Sequence, residues 1–79
     1  MLMTDERPAL TPLGERLLEI LRGSGEWMSR GEIAREIGRP TRLTPYDVQV
    51  LEDLADDNLI QIDSRKIGAV RTEYIYRAK

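Results

Sequence analysis

Histidine and cysteine are both absent from this chain, so the commonest general base, the commonest metal ligand and the thiolate nucleophile are missing together. The serines are Ser24, Ser29 and Ser64; none comes with a partner that would activate a hydroxyl, and no glycine-rich phosphate loop offers a cofactor cradle. The expectation is a protein that is not an enzyme and uses no cofactor and no metal. What remains able to do chemistry is charge. The net charge of -2 hides a division along the chain. Residues 44–63 carry Asp47, Glu52, Asp53, Asp56, Asp57 and Asp63 with no base, whereas residues 64–79 carry Arg65, Lys66, Arg71, Arg77 and Lys79 against Glu73 alone. Such a division marks either a nucleic-acid surface beside a repelled one or two solvated faces.

The elements that must position these charges fit one small domain. At 79 residues almost every apolar position is needed for a single core. No apolar run approaches the roughly 18 residues of a membrane span, and MLMTDERPAL lacks the apolar centre of a signal peptide, so the expectation is a cytoplasmic protein with no membrane partner. Residues 1–10 mix acids, Arg7 and Pro8 without period and read as a mobile tail, leaving 11–79 as the domain. Thr11-Pro12 is a helix start, Leu13, Leu17, Leu18, Ile20 and Leu21 give the apolar stripe, and Gly23-Ser24-Gly25 is the stop. Glu15, Arg16, Glu19 and Arg22 fall on its wet side. Glu26-Trp27-Met28 can pair as a short extra strand, and Trp27 is expected in the core because a domain this small needs its aromatics there. Ser29 to Glu32 is a capping box opening a second helix, with Met28 and Ile33 placed as a hydrophobic staple, Ile33, Ala34 and Ile37 buried and Gly38 as the left-handed stop.

The third helix, 45–57, repeats that grammar. Leu43 is the staple residue, Thr44 the cap, Pro45 the first helical position, Asp47 the reciprocal acid and Val48 the staple partner. The pattern assigns Val48, Leu51, Leu54 and Ala55 to the core and Tyr46, Gln49, Val50, Asp53 and Asp57 to the opposite face, with Asn58 as the C-cap. Beyond it the period changes to two. Residues 59–63 and 69–77 read as strands joined by a loop over 64–68, in which Gly68 supplies a positive φ. In the second strand Val70, Thr72, Tyr74 and Tyr76 share one face, read as the packed one, with Ile75 out of place on the other.

This order of elements, α+β with three helices followed by a two-stranded β-hairpin, resembles the winged helix-turn-helix superfamily. Residues 29–37 (SRGEIAREI) look like the first helix of the helix-turn-helix. Residues 51–62 (LEDLADDNLIQI) resemble the passage from the third helix into the wing, and 71–78 (RTEYIYRA) are similar to the returning wing strand. The likeness is architectural and covers residues 11–78; the link from Gly38 to Val48 is longer than in the commonest bacterial members. It implies double-stranded DNA as partner, with helix three in the major groove and the wing, 63–71, on the backbone. On that reading Arg30, Arg39, Arg42, Arg65, Lys66 and Arg71 are the phosphate contacts, and Thr44, Tyr46 and Gln49 are the groups offered to base edges, with Gln49 suited to adenine and Val50 to a thymine methyl. Each has a plainer role beside it: Thr44 caps the helix, Tyr46 covers the next turn, and Gln49 is a solvated helix former.

Asp53, Asp56 and Asp57 oppose this reading, because they sit at the negative end of a helix dipole and would repel phosphate. Docking through the front half of helix three leaves the last turn outside the groove, but Asp53 still faces outward midway. The alternative is therefore a winged-helix protein-interaction module that binds no DNA, its acidic helix and basic hairpin pairing with a partner. For a DNA binder of this size a small transcriptional regulator acting as a homodimer is expected, joined through the tail or the first helix, with no small-molecule effector implied.

Overall fold

Local sequence grammar sets the ends of all three helices in the computed structural model, which describes residues 10–79; the greater part of the expected tail, residues 1–9, lies outside them. Helix α1 (Pro12–Ser24) starts where the Thr11 hydroxyl accepts the Gly14 N–H at 3.0 Å. It stops at Gly25, whose φ of 69° lets its N–H return to the Leu21 carbonyl. Strand β1 (Met28–Ser29) runs straight into α2 (Arg30–Glu36). Both halves of the capping box form there: the Ser29 hydroxyl accepts from the Glu32 amide at 3.2 Å, and the Glu32 carboxylate accepts from the Ser29 amide at 2.8 Å. Helix α3 (Pro45–Asp56) opens on the same device, with Thr44 and Asp47 as the two partners. Its C-cap is Asp57, one residue before the expected Asn58, which instead takes the left-handed conformation at φ 63° that releases the chain from the helix.

The hairpin is longer than its apolar pattern suggests. Strand β2 (Ile60–Ile67) and strand β3 (Arg71–Ala78) pair antiparallel along their whole length around the short turn 68–70, with Gly68 at φ 68° as expected. Ser64, Arg65, Lys66 and Ile67, read from sequence as loop, are strand because Tyr74, Glu73, Thr72 and Arg71 face them across the ladder. The distal hairpin has no buried face, so polar residues cost it nothing there. The expected short strand is present but starts at Met28, the last residue of the stretch the pattern gave, and runs to Ser29, and the sheet order is β1-β3-β2.

Register then decides what each aromatic does. Met28 stands opposite Tyr76, which also faces Ile62, so these point towards the helices, and Tyr76 is 1 % exposed in the core. Neighbouring residues point the other way. Trp27 therefore lies outside the core cluster, on the outer face, where the Arg77 guanidinium sits 6.0 Å from its ring centre; the expectation of a core tryptophan is corrected. The tyrosine face holds only at its base. Tyr74 and Val70 are exposed, while Ile75, the apparent misfit, is buried between its strand partners Ser29 and Asp63.

The core joins Leu17, Leu18 and Leu21 of α1, Ile33 and Ala34 of α2, Leu43, then Val50, Leu51 and Leu54 of α3, and Ile60 and Tyr76 of the sheet. Arg16 is not simply wet: it donates to the Glu36 carbonyl at 3.1 Å, occupying an acceptor that the end of α2 leaves open. Among the described residues no helix is long and apolar enough to cross a membrane.

Candidate functional site

Helix α3 is rotated about its axis relative to the sequence expectation, and Asp47 is the cause. The most deeply buried positions are Asp47, which is fully buried, Val50, Leu51 and Leu54, while Val48 and Ala55 pack against the core as expected but only partly buried. A carboxylate can take a core position only if its charge and lone pairs are met. Here Arg39 approaches with both arms, Nε to Oδ2 at 2.8 Å and Nη2 to Oδ1 at 2.7 Å, while the Thr44 amide donates to Oδ2 at 2.8 Å. These bonds, those from Arg39 above all, outweigh the upward push of burial and hold the Asp47 carboxyl at about 2.

Two expectations change with this. Val50 is 7 % exposed and belongs to the core, so it is not available to a thymine methyl. Arg39, expected on phosphate, has its guanidinium held by Asp47 and ties the link after α2 to the first turn of α3. That link is long in sequence, and the ion pair fixes it together with buried Leu43 and the bond from the Arg39 amide to the Ala34 carbonyl.

The outward face of α3 now reads Pro45, Tyr46, Gln49, Glu52, Asp53, Asp56 and Asp57, all exposed. Tyr46 is 59 % exposed and free of packing demands. Gln49 donates its amide to Asp53 at 3.1 Å, a bond along the exposed helix that a ligand can exchange for its own. Thr44 is spent on capping. Between α3 and the start of α2 lies an open depression of about 540 Å³ lined by Arg30, Arg42, Leu43, Pro45, Val48, Gln49 and Glu52. Residues from three parts of the sequence meet there: Arg30 from α2, Arg42 from the link, and Gln49 from α3. A larger depression on the outer side of α1 is lined by Leu10, Pro12, Leu18 and the mixed charges of Glu15, Arg16, Glu19 and Arg22; it gathers no group that α3 or the hairpin presents.

Arg30 is held firmly for a surface cation. Its Nε donates to the buried Tyr76 hydroxyl at 2.8 Å, and its guanidinium lies 4.6 Å from the centre of the Tyr74 ring. Neither contact was legible in sequence, since 46 positions separate Arg30 from Tyr76.

The hairpin cations divide by face. Lys66 stands opposite Thr72 and so shares the side of Tyr74, the side of the helices; Arg65 and Arg71 point the other way with Glu73. Arg65 donates to Glu73 at 2.8 Å, an exposed pair worth little stability but enough to offset its charge locally. Arg42, Lys66 and Arg71 form no salt bridge among the described residues. Of the nine residues expected to touch DNA, the structure therefore brings Arg30, Arg42 and Gln49 into one depression, with Lys66 on the same side of the hairpin. Tyr46 is exposed on α3, Thr44, Arg39 and Arg65 are engaged within the chain, and Arg71 lies on the far face. The chain matches no family model, no curated protein and no solved structure.

Proposed function

We propose that this chain is a winged-helix protein that binds double-stranded DNA through the front of α3, the α2–α3 depression and the helix-facing side of the hairpin, in the manner of a small transcriptional regulator. The convergence of Arg30 and Arg42 beside Gln49 carries this reading. Two cations about a groove-sized helix suit the phosphates, and an amide that can both donate and accept suits a base edge between them. The element order supports the same reading, because it is the order in which winged-helix proteins present a helix to the major groove and a hairpin to the backbone.

The test is titration of the protein with mixed-sequence duplex DNA over a range of salt. Affinity is expected to fall steeply between about 50 and 200 mM salt. Replacing Arg42 and Lys66 by Ala is expected to weaken binding and to flatten the log–log salt slope by about one for each phosphate that is no longer neutralised.

A second reading has one observation in its favour: Asp53, Asp56 and Asp57 are all exposed on the rear of α3, and Glu52 lies at the edge of the depression in front of them. As a protein-binding module the chain would offer that acidic face to a basic partner. Absence of duplex binding at about 50 mM salt would select this reading.

A further inference from the structure

Arg30 is held by two tyrosines of one strand, and the way in which it is held limits what it can bind. A guanidinium has one Nε–H and four N–H groups on its terminal nitrogens, and it grips an oxyanion either along the Nε edge or end-on through the two terminal nitrogens. In this chain Nε is occupied by the Tyr76 hydroxyl at 2.8 Å, and the guanidinium carbon lies over the Tyr74 ring, 4.6 Å from its centre. Tyr76 is itself fixed by the core at 1 % exposure, whereas Tyr74 is 47 % exposed and stands at the rim.

We propose that Tyr74 and Tyr76 are positioning residues that hold Arg30 with only its terminal nitrogens open, so that it takes a single backbone phosphate of DNA end-on at the mouth of the α2–α3 depression. The proposal rests on the DNA-binding reading above and adds to it how one contact is organised. Free arginine side chains give up rotamer freedom when they bind; this one has given it up on folding, which lowers the cost of the contact. The ring beside it also excludes water from one side of the cation and strengthens the charge–phosphate attraction. Arg42 lines the same depression but makes no hydrogen bond among the described residues, so it supplies charge without that fixed direction.

Three substitutions test this in the full chain against duplex DNA: Tyr76→Phe, Arg30→Lys and Arg30→Ala. Tyr76→Phe keeps every charge and nearly all the core volume. It is expected to weaken binding about fivefold, the size of one ordinary hydrogen bond, at an unchanged salt slope. Arg30→Lys keeps the charge but cannot reproduce both the bond from Nε and the place over the Tyr74 ring. It is expected to weaken binding by at least as much, again at an unchanged slope. Arg30→Ala should weaken it further and flatten the slope by about one. Wild-type affinity in both Tyr76→Phe and Arg30→Lys, with Arg30→Ala still flattening the slope, would leave Arg30 a phosphate contact and overturn the positioning role. If Arg30→Ala does not alter the slope while Arg42→Ala and Lys66→Ala do, DNA binds elsewhere on this surface and the proposal falls while the DNA reading stands. If the wild-type chain does not bind duplex at low salt, both fall together.

Discussion

A single buried carboxylate, Asp47, decides how the candidate surface is presented. It caps α3, neutralises Arg39 and turns Val50 inward. Asp47→Ala leaves the Thr44 amide and the Arg39 guanidinium without their acceptor, and is expected to cost about 2–4 kcal/mol. For a domain of this size the melting temperature should fall by roughly 10–20 °C in a thermal scan. The carboxyl titrates at 3.8 in the open chain and at about 2 when folded, so folding favours its ionised form. Its contribution is therefore fully present above about pH 5 and fades as the pH falls through about 2; screening at the part-exposed Arg39 limits it to about 1–2 kcal/mol. Denaturant midpoints measured between about pH 6 and pH 2 should accordingly drop further for the wild type than for Asp47→Asn, which lacks this titration. Half of this arrangement was legible in the sequence. Thr44-x-x-Asp47 is a local signature that can be read at its spacing, whereas an arginine eight positions earlier carries no period and shows itself only once the link has folded back.

For the elements, ends are easier to read than faces. Thr11, Ser29 and Thr44 each cap the helix they were expected to cap, because a cap is chemistry within four residues. The face of α3 departs from the pattern because an apolar stripe counts Asp47 as polar, and only its pairing with Arg39 makes that position inward. The consequence separates two neighbours on one helix. Val50→Ala opens a cavity and is expected to destabilise the fold by about 2 kcal/mol, whereas Tyr46→Ala, at 59 % exposure, should change stability by less than about 0.5 kcal/mol. Equilibrium unfolding of the two variants side by side checks the rotation. In the hairpin, β2 runs past Asp63 although its distal half has no apolar alternation, since strand character there is conferred by the partner strand rather than by its own residues. The side taken by Trp27 is hidden for the related reason that β1 is too short to show its own period; only its register against β3 tells which side faces the helices.

Across the whole molecule the charges are divided along α3: Arg30 and Arg42 line the depression at its front, with Glu52 at that depression's edge, and Asp53, Asp56 and Asp57 occupy its rear. If the front enters a major groove, the acids nearest to it are the ones that oppose binding. Asp53→Asn is expected to raise DNA affinity at low salt, and Asp57→Asn, a turn further back, to raise it less; equal gains would argue against this docking direction. The sheet carries a different consequence. Its central strand, β3, is the last of the described elements in the chain, and both β1 and β2 bond to it rather than to each other. While the chain is being synthesised, the three helices and β2 leave the ribosome before any sheet can exist. Met28 and Arg30 must then wait for Tyr76, and closing that long loop is slow compared with forming a helix. Assembly of the surface proposed for DNA thus waits on β3: the bond that fixes Arg30 cannot form until that strand has been made, and until then the α2–α3 depression lacks the hold that sets its arginine.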